Sequence, residues 1–148
     1  MSKMNKRASR TLLVIAAILS TAGAAFHLAA FFKALRIVAV SGMPPFYSNS
    51  FKALWLADSA TMAILALICL AMTVRMEAAN RLILALVALF PLLTAMLLYA
   101  FLGNFPAAHI LMAIAVLMLL AGARLPGSAA GTVEHADGTA RALMEKSA

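Results

Sequence analysis

Among the 148 residues there are three histidines and five acidic residues, and one acid, Asp58, lies inside a long apolar run. An ionisable side chain in a lipid-spanning helix is costly, and it marks a functional site whose partner has to be found. His27 and His109 lie in other apolar runs and are the candidate partners. A histidine beside a carboxylate can hold a transition metal or haem, relay a proton, or act as a general base. In the first case His27 and His109 are the ligands, and Asp58 ligates or orients one of them. Met62 and Met112, one helical turn beyond Asp58 and His109, would then add soft thioethers, and Gly23, one turn before His27, would admit a flat macrocycle. Trp55, Ser59 and Tyr99 complete the side chains that could line a ligand.

The elements that must position these residues are membrane spans. The chain is 65% hydrophobic and 11% charged, with a mean hydropathy of +0.99, whereas a soluble domain is roughly 45–50% apolar and about 25% charged. That much apolar surface exceeds what a domain of this size can bury, so lipid is the main solvent. The net charge of +7 sits mostly at the ends of the apolar runs, which points to lipid headgroups and away from nucleic acid. Cys69 is the only cysteine, which excludes an intramolecular disulfide or a cysteine-based zinc site.

Four runs qualify as spans, at about residues 11–32, 53–74, 82–102 and 106–123. The first would extend ~33 Å as a helix, enough to cross the hydrocarbon. Residues 1–10 form a basic lead; together with the small residues Ala22-Gly23-Ala24 they also fit a cleaved signal peptide covering residues 1–24. The apolar run continues through Phe32, which favours a retained span. Residues 33–52 contain Gly42, Pro44, Pro45 and Asn49 and read as an interfacial connection that could cap the bundle. Pro91 should kink the third span, with Thr94 or a neighbouring helix serving the freed carbonyl. Gly103-Asn104-Phe105-Pro106 reads as a tight turn. Residues 125–148 turn polar and read as a disordered cytoplasmic tail.

Basic residues near the span ends number seven on one side (Lys3, Lys6, Arg7, Arg10, Arg75, Arg81, Arg124) and three on the other (Lys33, Arg36, Lys52), which places both termini in the cytoplasm. The expected fold is therefore an all-α integral membrane protein, an antiparallel four-transmembrane-helix bundle of the bacterial inner-membrane type. If all four spans end at one outer plane, His27 and Asp58 lie ~7.5 Å below it and Tyr99 and His109 ~4.5 Å below it. All four would then share the outer leaflet. Competing readings are local: Asp58 as a helix N-cap, Trp55 and Tyr99 as belt aromatics, His109 reaching headgroup water, and His27 bonded across a helix contact on the small-residue face of Ser20, Gly23 and Ala24.

In size and span number the chain resembles the small multidrug transporters, which implies proton-coupled export. Their essential carboxylate lies in the first span and this one in the second, so no residue role carries over. The run Arg75 to Arg81 resembles, in residue types alone, the four-span eicosanoid and glutathione enzymes; it lies after span two and reads as positive-inside charge with Glu77 solvated. The function expected from the residues is binding of a small ligand, metal or haem at His27, Asp58 and His109. The alternatives are a transporter, an enzyme acting on a lipid-like substrate, or an accessory subunit of a larger membrane complex or oligomer.

Overall fold

The computed structural model describes residues 3–77 and 79–125. Within them the chain forms four helices: α1 (Lys3–Val40), α2 (Pro45–Val74), α3 (Arg81–Leu102) and α4 (Pro106–Ala123). All four are long and apolar enough to cross a membrane. The protein is an all-α integral membrane protein. Residues 126–148, where the sequence suggests a disordered tail, lie outside the described residues.

The helix ends follow local chemistry. Gly42 takes the left-handed conformation (φ 66°) between α1 and α2, and Pro45 opens α2 at a position where its missing N–H costs nothing. Asn80 caps α3 by accepting from the Leu82 N–H at 2.7 Å. Gly103 (φ 67°) ends α3, and Pro106 opens α4. Inside α3 the ring of Pro91 is buried, and Thr94 donates to the Phe90 carbonyl at 2.9 Å. Thr94 thus bonds its own i−4 carbonyl and not that of Val87, the one Pro91 leaves free.

The largest departure from the sequence reading is at residues 33–52. Only residues 41–44 are non-helical there, and α1 and α2 form one long hairpin. Lys33, Arg36, Asn49 and Lys52 interrupt hydropathy without interrupting helix geometry. The true breakers, Gly42, Pro44 and Pro45, fall within four residues of one another. At ~1.5 Å per residue α1 is about 57 Å long and α4 about 27 Å, so the bundle is lopsided.

The principal contacts run in the order α2–α1–α4–α3. Small side chains let these helices approach closely, as lipid-embedded helices require when no hydrophobic effect drives them together. Leu13, Ala16 and Ala17 of α1 join the buried core with Met62, Leu65 and Cys69 of α2, and with Leu111, Ile114 and Met118 of α4. Leu84, Ala88, Pro91 and Ala95 form the buried stripe of α3, at alternating spacings of four and three that keep one face toward α4. Ser9 donates to the Ala121 carbonyl at 3.1 Å and sets the register of α1 on α4. Large apolar side chains such as Leu54, Leu67 and Phe101 face outward, toward lipid.

Two glycines mark the tightest approaches. A Cβ on Gly122 would lie 3.3 Å from the Leu84 Cβ and 3.5 Å from the Arg81 carbonyl oxygen, while one on Gly23 would meet only the Met62 methyl at 2.7 Å. A methyl at the end of a flexible side chain can swing away; a Cβ and a backbone carbonyl cannot. Gly122→Ala is therefore expected to be less stable than Gly23→Ala by about 1 kcal/mol, because helix propensity favours Ala equally at both sites and only Gly122 meets atoms that cannot move away. Unfolding of the purified protein in detergent measures both, and equal stabilities would contradict this account of the contacts.

Candidate functional site

His27 is held from three directions by α2. Its ring stacks on Trp55 with centroids 4.5 Å apart and planes 21° from parallel. The Trp55 indole Nε1–H donates to the His27 carbonyl oxygen at 2.9 Å. His27 Nδ1 lies 2.8 Å from Ser59 Oγ, and Nε2 faces Asp58 Oδ2 at 3.4 Å. Trp55, Asp58 and Ser59 meet one histidine because their spacing of three and four puts them on one face of α2. Phe51, one turn earlier, tilts against Trp55 at 5.3 Å. Asp58 lies well inside α2, which starts at Pro45, so it does not cap that helix.

The contacts admit two placements of the hydrogens. The Ser59 hydroxyl has one hydrogen and two acceptors within reach, the Trp55 carbonyl at 3.0 Å and His27 Nδ1. If the hydrogen goes to Nδ1, the imidazole is neutral and presents Nε2–H to the Asp58 carboxylate. If it goes to the carbonyl, Nδ1–H donates to Ser59, and Nε2 faces Asp58 favourably only with a further proton between them. The cluster therefore has two hydrogen-bond arrangements that differ by one proton. At 3.4 Å the His27–Asp58 contact is longer than a good hydrogen bond. Asp58 is also part-exposed, at 39%, so its carboxylate keeps acceptor capacity open to an incoming group.

His109 belongs to a different arrangement. Its Nε2 lies 2.6 Å from Asn104 Oδ1, which can only accept, so Nε2 carries hydrogen and Nδ1 accepts from the Tyr99 hydroxyl at 2.5 Å. Both ring nitrogens are satisfied, and the trio ties the α3–α4 turn. Ser9 opposite Ala121 explains the separation from His27. Twelve residues back from Ala121 on α4 is His109, and twelve ahead of Ser9 on α1 is Thr21. His27 thus stands about 9 Å further along the bundle at ~1.5 Å per residue. The shared outer plane assumed from sequence does not exist, because α1 and α2 run past the α3–α4 turn.

The sequence-selected residues thus fall into two groups. His27, Trp55, Asp58 and Ser59 come together; Tyr99 and His109 come together elsewhere. Asn104, read from sequence only as a turn residue, completes the second group. Among the described residues no three His, Cys, Asp or Glu side chains are placed to hold a metal ion. Met62 is buried in the core with its methyl filling the space beside Gly23, where the sequence suggested an opening for a macrocycle. Met112 packs against the same core. Neither thioether points to a ligand role.

The fold and site define a polytopic membrane protein with a polar centre in one helical hairpin. Comparison of the chain with protein-family models, with curated proteins and with solved structures finds no match.

Trp55 contributes both a stacked ring and a donor across the α1–α2 contact. Trp55→Phe keeps a ring but removes the donor, and is expected to cost about 1 kcal/mol; Trp55→Ala should cost more. Detergent unfolding curves for the two variants provide the check, and a Trp55→Phe protein as stable as the parent would show that the indole N–H contributes nothing.

Proposed function

We propose that this protein binds a small amphipathic ligand at the centre formed by His27, Asp58, Ser59 and Trp55, in a membrane of the bacterial inner-membrane type with both termini in the cytoplasm. The observation that carries the reading is the part-exposed Asp58 carboxylate, held beside His27 with acceptor capacity to spare. Trp55 and Phe51 lie one and two turns back on the same helix, offering apolar surface next to a negative charge. That pairing suits an organic cation or a strong hydrogen-bond donor carrying a hydrophobic portion. As a metal site the centre offers His27 and Asp58 alone. As a catalytic site it offers Ser59, whose hydroxyl is buried and shared between the Trp55 carbonyl and His27 Nδ1.

Trp55 is the only tryptophan, so intrinsic fluorescence reports on this centre. Titration of the protein in phosphatidylcholine nanodiscs with decylammonium should change the emission saturably, and decanol should do so much less. Asp58→Asn should weaken the decylammonium response roughly tenfold, the scale of one charged hydrogen bond, while His109→Ala leaves it unchanged. Equal responses from the parent and Asp58→Asn would sink this reading and leave that of an accessory subunit, with no ligand at this centre.

A second reading rests on the shared Ser59 hydrogen. Two arrangements that differ by one proton are what a proton-coupled transporter needs at its coupling site. On this reading proteoliposomes carrying the protein take up protons when a gradient of a transported cation is imposed, and Asp58→Asn abolishes the uptake. Undiminished proton flux through Asp58→Asn would remove it.

A further inference from the structure

The opposite end of the α1–α2 hairpin holds a second feature. Between the first turns of α1 and the end of α2 lies a cavity of about 600 Å³ lined by Lys6, Arg7, Arg10 and Arg75, within the ~300–1,000 Å³ range of ligand pockets. Lys6, Arg7 and Arg10 share one face of α1 by spacings of three and four. Arg75 is delivered from a distant part of the chain. It is the C-cap of α2, with its N–H bonded to the Ala71 carbonyl, and the antiparallel pairing of His27 with Ser59 brings this end of α2 level with Arg10.

The charge there is only partly compensated, four cations facing one acid. Glu77 is the one acid lining the cavity, and the only ion pair among the described residues is that of His27 with Asp58. The positive end of the α1 macrodipole meets the negative end of α2, which stops at Val74, so the field there comes from the side chains. The cavity also opens beside apolar surface: Val74 lines it and is 71% exposed, and below it the outward faces of both helices are apolar. Cationic side chains above an apolar wall match an anionic headgroup with its acyl chains attached, better than they match a soluble anion. Arginine suits phosphate in particular, because its planar fork donates two parallel hydrogen bonds.

We propose that the cavity between the start of α1 and the end of α2 is a binding site for an anionic phospholipid, its phosphate held by Arg10 and Arg75 with Lys6 and Arg7 beside them. The site is independent of the His27 centre. The full chain, purified in detergent and exchanged with phosphatidylglycerol and phosphatidylcholine in equal amounts, should retain phosphatidylglycerol preferentially in native mass spectra. The double variant Arg10→Ala/Arg75→Ala should lower that preference roughly tenfold or more. Arg10→Lys/Arg75→Lys should restore part of it, because charge returns without the fork. Lys33→Ala/Arg36→Ala, at the other end of α1, should leave it intact. All these side chains are exposed, so the variants should keep the parent's helical content and melting temperature in phosphatidylcholine; Lys6→Ala/Arg7→Ala gives a second test should the first pair misfold. The proposal is overturned if the Arg10/Arg75 variant keeps the preference, if the Lys33/Arg36 variant loses as much, or if inorganic phosphate displaces the lipid at equal concentration.

Discussion

Lipid offers no hydrogen bonds, and every polar group inside this bundle is arranged under that constraint. Most hydroxyls answer it within their own helix. Thr21, Thr61, Thr73 and Thr94 each donate to the carbonyl four residues earlier. Such bonds cost no interhelical organisation and say little about function. Ser9 instead reaches the Ala121 carbonyl and sets the α1–α4 register. His27 cannot be satisfied within one helix, so α2 supplies it with an indole, a hydroxyl and a carboxylate on a single face. Ser20 is the exception among the described residues, a buried hydroxyl with no partner, two turns before His27.

The register has a consequence for where the chemistry can sit. With α1 and α4 in the middle of the row and α1 far the longer, the α1–α2 hairpin extends past the α3–α4 turn. The two polar groups therefore separate along the bundle axis. One, built on Tyr99, Asn104 and His109, closes a turn and uses both imidazole nitrogens in doing so. The other stands further out on the hairpin, has a carboxylate with open acceptor positions, and carries aromatic rings on the same helix face. The same hairpin bears the arginine-lined cavity at its other end. The pair α1–α2 thus presents the His27 centre and the arginine-lined cavity, while α4 packs against α1 and α3 packs on α4, with small residues along their contact.

Some of this was legible in the residues and some was not. Apolar runs of about twenty residues, Pro106 at the start of a helix and Gly103 at the end of another have local causes, and a reader of the chain finds them. The convergence of Asp58 with His27 was legible as a need, since a carboxylate among apolar residues requires a partner. Residues 33–52 read as a connection because charge and asparagine break the hydropathy, yet an exposed helix accepts both and only residues 41–44 leave it. His109 falls beside His27 only if all four helices end at one plane, and they do not. Asn104 carried no signal that separates it from an ordinary turn residue.

The sequence by itself determined that lipid is the solvent, that four helices result, and that an acid within an apolar run calls for a partner. Each of these follows from hydropathy and from the cost of an unsatisfied group, which act locally along the chain. Only the tertiary structure decided which histidine the acid meets, because that depends on helix length and interhelical register. Register is set by contacts such as Gly23 with Met62, Gly122 with Leu84 and Ser9 with Ala121, and these lie between residues far apart in the chain. Pairing across such separations leaves no trace in local spacing. It emerges only when small residues let two helices approach and their side chains find one alignment that satisfies them all.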